Sequence, residues 1–217
     1  MSHHYDVLQA IEQGNTTRLK ELLQEQPELA NARDEQGVSM VLRAMYRHNG
    51  DALDTLMGLA PTIDVFTAAA LGDVRRLRPL LDADAAAAES FQGDGFTPLQ
   101  LACFFASKDT AVLLLERGAD PEAVSRNGME LRAIHSAAAS RSVEIMELLL
   151  ARGVNVHAAQ HGGWTALHAA VNNGDHAMAR VLLTAGANPV QENDFEQTPL
   201  DLAREKGDEA LQRLLQG

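Results

Sequence analysis

The chain has 217 residues, 46% hydrophobic and 22% charged, enough apolar content to fold as one or two ordinary soluble domains. Thirty acidic residues against 18 Lys and Arg give a net charge of -12, which argues against a grip on phosphate backbones and favours a partner with a basic surface. A single cysteine, Cys103, rules out an internal disulfide, and aromatics at only 4% beside abundant alanine favour thin, closely packed helices over a sandwich or barrel.

The first residues, Met1-Ser2-His3-His4-Tyr5-Asp6, contain no basic-then-apolar leader, and no later window approaches ~18 uninterrupted apolar residues. A cytoplasmic protein with no membrane partner is expected. From Val7 to Ala30 the pattern reads as a helix pair with Gly14-Asn15 between the helices and Pro27 ending the second. A turn-forming stretch follows at Asp34-Glu35-Gln36-Gly37. The next pair, Asp64 to Asp84, contains Phe66-Thr67-Ala68-Ala69-Ala70-Leu71-Gly72-Asp73, yet only 22 residues separate Asp51 from Asp73, so the turn expected before it is missing or shortened.

From Thr97 onward a fixed period governs the chain. Leu99 in Thr97-Pro98-Leu99-Gln100 is matched by Ile134 after 35 residues, then by Leu167 and Leu200 at steps of 33. The glycines closing successive units, Gly118, Gly153 and Gly186, repeat the spacings 35 and 33, and Asp73, Ser107, Ser142, Asp175 and Asp208 open each second helix in the same phase. A period in this range marks a solenoid of stacked supersecondary units. Thr97, Thr165 and Thr198 are suited to cap a first helix, and Pro98 and Pro199 to stand at its first position, where no N–H is missed. Gln100 and Asp201 stand where a reciprocal cap reaches back. Second helices carry apolar residues at helical spacing, such as Ile145, Met146, Leu149 and Leu150. Alanines at 69, 102, 137, 169 and 170 let neighbouring units approach closely. The expected fold is an all-α solenoid of about seven helix pairs, with the polar pair Thr198 to Leu215 closing it.

Gly163-Trp164-Thr165-Ala166-Leu167-His168-Ala169-Ala170, Gly95-Phe96-Thr97-Pro98-Leu99, Gly118-Ala119-Asp120 and Gly186-Ala187-Asn188 resemble the ankyrin repeat. The resemblance covers nearly the whole chain and is strongest from about 92 to 203. It implies one repeat domain over 1–217, with units near 5–33 (an N-terminal cap), 34–63, 64–91 (irregular), 92–124, 125–157, 158–190 and 191–217 (a C-terminal cap). It also implies short β-hairpin fingers between units, with the finger absent before the irregular unit and the groove interrupted near residues 60 to 70. His135 and His168, recurring at one phase, are by the same resemblance structural residues bonding to backbone at the finger base.

The family's variable binding positions lie in the fingers and near the ends of first helices. Carried over, they give Tyr46, Arg47, Asp94, Phe96, Phe104, Phe105, His161, Trp164, Asn172, Asn173, Asp194 and Phe195 as partner-binding candidates, with Val38 and Met129 among further finger positions. The only Trp and four of the six Phe fall in this set, and buried aromatics are where interface energy concentrates. Adjacent aromatics cannot share a helix face, so at least one of Phe104 and Phe105 must point away from the core.

Cys103 reads as a core residue on a first helix, and Arg75, Arg76 and Arg78 as a solvated outer face. The histidines show no zinc-ligand spacing, and no nucleophile elbow or P-loop is present. No catalytic residue, metal or cofactor is therefore expected. The sequence points to a monomeric, non-catalytic scaffold binding a protein or peptide. The alternatives are a self-associating structural protein or an accessory subunit of an enzyme.

Overall fold

Among the described residues, eleven α-helices begin at a polar side chain that accepts from a free backbone N–H. The computed structural model describes residues 3–217, and among these fourteen α-helices pair in sequence. The pairs are α1 (His3–Glu12) with α2 (Thr16–Glu25), α3 (Met40–Tyr46) with α4 (Gly50–Met57), α5 (Val65–Leu71) with α6 (Val74–Ala83) and α7 (Pro98–Phe104) with α8 (Lys108–Glu116). They continue as α9 (Ala133–Ala139) with α10 (Val143–Ala151), α11 (Ala166–Asn172) with α12 (His176–Thr184) and α13 (Pro199–Glu205) with α14 (Glu209–Gln216). The expected seven pairs are all present.

Thr97, Thr165 and Thr198 cap their helices, and Gln100, His168 and Asp201 return the bond to the cap residue's own N–H. Each such cap is worth about 1 kcal/mol. Asp73, Ser142, Asp175 and Asp208 cap second helices as expected. Ser107 does not. Its hydroxyl donates instead to Ala70 O at 2.8 Å, and Thr110 Oγ1 donates to Ala69 O at 2.8 Å. Both serve carbonyls in the last turn of α5, where intrahelical donors run out, although Ala69 O also accepts from Gly72 N at 3.3 Å.

Leu99, Ile134 and Leu167, the periodic set, are about 1% exposed within one continuous apolar core. Burying each contributes about 2 kcal/mol. Leu200, at the same phase, is only partly buried and packs against the edge of that core. Ala69, Ala102, Ala137 and Ala170 lie in the core, whereas Ala169 is partly exposed. Cys103 is fully buried, and burial raises its thiol pKa well above the usual range. Arg75, Arg76 and Arg78 are exposed on α6, with Arg76 paired to Asp73 at 2.6 Å.

The fingers are tight loops rather than extended strands, closed by isolated antiparallel bridges at Arg33 with Ser39 and Ala159 with Thr165. Their tips form a backbone rail: Arg126 N donates to Gly95 O (2.8 Å), His161 N to Met129 O (3.0 Å) and Asp194 N to Gly162 O (3.0 Å). No finger stands between α4 and α5, where Gly58–Asp64 connects the helices directly.

The consequence is the opposite of the interruption expected near residues 60 to 70. With one finger absent, the loops at Asp34–Val38 and Gln92–Phe96 meet: a Cβ added to Gly93 would lie 1.8 Å from the Gln36 carbonyl oxygen. Only glycine permits that approach. Beneath the junction, Val38, Leu42, Ala70 and Leu101 form a second small core, covered by the partly buried Tyr46, Phe66, Phe96 and Phe105.

Candidate functional site

Short first helices and fingers together shape one cleft of about 1010 Å³ on the concave side of the stack. Nine of the twelve candidate residues line it: Tyr46 and Arg47 from the end of α3, Asp94 and Phe96 from the fourth unit's finger, Phe104 from α7, His161 and Trp164 from the sixth unit's finger, and Asn172 and Asn173 from the end of α11. Met129, 53% exposed at a finger tip, lines it as well.

Phe105, Asp194 and Phe195 do not line the cleft. Phe105 lies just past the end of α7 and turns into the second core, its ring 5.1 Å from Phe104 in an edge-to-face contact and 5.7 Å from Tyr46. That leaves Phe104 as the member of the pair facing outward, 41% exposed. Asp194 and Phe195 sit at the tip of the last finger, where the cleft has already ended, and Phe195 is 69% exposed. Val38, read as a finger contact, is fully buried in the second core. Trp164 stands between the two environments. It lines the cleft while packing on the core, its ring 5.6 Å from that of His168.

Four formal charges belong to the lining. Arg47 pairs with Glu12 of the first unit at 3.1 Å, and Arg43 pairs with Asp34 and donates to Gln36 Oε1 at 3.0 Å. Asp94 has no ion-pair partner among the described residues, and its Oδ2 accepts from the Tyr46 hydroxyl at 2.8 Å. Burial, with the carboxylate of Asp94 second, holds the Tyr46 phenol pKa far above its ordinary value. Glu12 and Arg43 were absent from the candidates. Arg43 was within reach of sequence reasoning, because it lies three residues before Tyr46 and so shares its helix face.

The two periodic histidines hold the scaffold. His135 Nδ1 accepts from Arg132 N at 3.0 Å and its Nε2 lies 2.9 Å from Ala158 O. His168 repeats the arrangement with Thr165 N (3.2 Å) and Gln197 O (3.1 Å). Each ring thus bonds backbone at a finger base. Burial is the main reason that the His135 pKa falls to about 4 and that of His168 is lowered, so both rings are neutral. His161 is exposed in the cleft. Among the described residues, no group of three His, Cys, Asp or Glu is placed to hold a metal ion, and no helix is long and apolar enough to cross a membrane.

A stack of helix pairs joined by finger loops, with a concave cleft along one side, defines a repeat solenoid of the kind used for recognition. The family model described as ankyrin repeats (3 copies) matches residues 65–160 and 134–217, and the chain belongs to the ankyrin repeat family. Such repeats are generally protein–protein interaction modules without catalytic activity. The chain is similar to the B-cell lymphoma 3 protein homolog of Mus musculus, 36% identical over 113 residues, covering 52% of this chain and 25% of that protein. It is similar also to the mitochondrial disaggregase of Bos taurus, 34% identical over 116 residues, covering 51% of this chain and 16% of that protein. Protein phosphatase 1 regulatory subunit 27 of Homo sapiens is 38% identical over 72 residues, covering 33% of this chain and 47% of the subunit. The chain thus spans a quarter or less of the first two relatives' own lengths.

Proposed function

We propose that this chain is a non-catalytic scaffold, monomeric and cytoplasmic, that binds a partner protein or peptide in the cleft between its fingers and first helices. The observation that carries this reading is the convergence of Tyr46, Phe96, Phe104, Met129 and Trp164 on one continuous cleft in a chain with only 4% aromatics. A recessed patch of large apolar side chains with a polar rim of Arg47, His161, Asn172 and Asn173 has the anatomy of a recognition surface. The net charge of -12 favours a partner whose contact surface is basic. One relative is named as a regulatory subunit, which accords with an adaptor's role.

Affinity capture with the wild-type chain and a Phe104→Ala variant tests the reading. Phe104 is exposed and suits the purpose better than the core-packed Trp164. Partners retained by the wild type are expected to be lost from the variant at unchanged melting temperature. Equal recovery by both contradicts the cleft assignment. Self-association is the competing use of the same face, and sedimentation over a range of concentrations separates it: a constant monomer mass supports the adaptor, and a rising mass supports assembly.

A further inference from the structure

Resting on that reading, we infer that the cleft selects a partner segment in which a Lys or Arg stands beside a large apolar side chain, with Asp94 as the acceptor of the cation. The charge balance of the lining carries the argument. The Arg47 and Arg43 charges are each neutralised within the protein, by Glu12 and Asp34 respectively. Within the lining, Asp94 alone has no ion-pair partner among the described residues, so it is the one carboxylate of the lining left open to a partner's cation.

That carboxylate is also held in place. Tyr46 Oη donates to Oδ2 at 2.8 Å, and Oδ1 has only a long contact from Phe96 N at 3.4 Å. A carboxylate offers about four acceptor positions, so most of its capacity remains open. The Tyr46 ring beneath it packs against Phe105 and the second core, which fixes the direction of the hydroxyl. An anchored anion costs less ordering entropy on binding than a free one. Phe96, Phe104, Met129 and Trp164 line the same cleft and supply both apolar contact and aromatic faces that attract a cation. A segment carrying Asp or Glu at that point would meet a like charge without a counter-ion, so the same site discriminates as well as attracts.

The test is selection of a displayed library of random short peptides on four immobilised full-length baits: wild type, Asp94→Asn, Tyr46→Phe and Phe104→Ala, each checked by thermal melting. The amide of Asp94→Asn keeps an acceptor for the Tyr46 hydroxyl while removing the charge, and Tyr46→Phe removes the clamp while keeping the charge. Wild-type peptides are expected to be enriched in Lys or Arg next to Leu, Ile, Met, Phe or Trp. They should bind Asp94→Asn at least about tenfold more weakly and keep their cation preference on Tyr46→Phe. Peptides that depend on Phe104 but bind Asp94→Asn equally well overturn the charge assignment and leave the cleft reading standing. Peptides indifferent to both Phe104→Ala and Asp94→Asn, or no enrichment at all, overturn the cleft reading itself.

Discussion

The Tyr46 hydroxyl, on the second helix pair, donates at 2.8 Å to the carboxylate of Asp94, on the finger of the fourth. The bond crosses a unit that has no finger and fastens the two sides of the cleft to each other. Removing it with Tyr46→Phe should destabilise the chain by about 1 kcal/mol, the typical net worth of such a bond, readable as a lower midpoint in urea. The raised phenol pKa adds a pH signature. A folded-state pKa above the unfolded value of 10.0 gives stability that is intact below pH 10 and lost as pH rises past it. Tyr46→Phe should flatten that alkaline loss. An unchanged alkaline limb would contradict the clamp.

On the acid side the buried histidines set the slope. Their folded-state pKa values lie below the unfolded value of 6.5, so the unfolded chain takes up protons first as the pH drops. Stability is full above pH 6.5 and falls from there towards about pH 4, where His135 protonates in the fold. For His135 the loss amounts to roughly 3 kcal/mol at most. Gln100 occupies the same phase as these histidines and makes the same contacts without titrating: its Oε1 caps Thr97 N at 2.9 Å and its Nε2 donates to Ala123 O and Leu131 O at 2.8 Å. A His135→Gln, His168→Gln double variant should therefore fold and show a flatter stability profile between pH 6.5 and 4 in denaturant titrations.

Gln92 and Asn193 begin equivalent finger loops, each donating its N–H to the residue four positions on, Phe96 O at 2.9 Å and Gln197 O at 3.0 Å. Asn193 Oδ1 accepts from Phe195 N and Gln197 N, as Asp34 Oδ1 does from Gln36 N and Val38 N. Gln92 is one methylene longer and buried, and both its side-chain polar atoms lack partners. Gln92→Asn should raise stability by about 1 kcal/mol, measured as a higher melting temperature.

Ala106 occupies the turn between α7 and α8 with φ of 55°, where the turn between α5 and α6 has Gly72 at 71°. An L side chain is disfavoured in that region by about 1 kcal/mol. Ala106→Gly should stabilise the chain by up to that amount, less the extra freedom of the unfolded state. Gly72→Ala should destabilise it by more, because the added Cβ also meets Ser107 Oγ at 3.2 Å.

Much of this architecture was legible in the sequence because its causes are local. A threonine before proline, a glycine after an apolar run and a Leu or Ile recurring every 33 to 35 residues each act through the chain's own next few residues or through the adjacent unit. What escaped depends on which of several side chains or carbonyls a group meets once the units are stacked. Gln36 and Gly93 meet only because an intervening finger is missing, so its absence read as a gap when it produces a closure. Phe104 and Phe105 are interchangeable by composition, and the end of α7 between them decides which one faces the cleft. Ser107 carries the signature of a cap yet serves a carbonyl of the preceding unit. The ion pairs that leave Asp94 without a cation join Arg47 to Glu12, 35 residues away in the preceding unit, and Arg43 to Asp34, nine residues away at the base of its own finger.

The most direct measurement of the central claim places a photo-crosslinking residue at Phe104, in the cleft, or at Arg75, exposed on α6 away from the cleft lining. A bound peptide or partner should crosslink from position 104 and not from position 75. Crosslinking from position 75 alone would contradict the account.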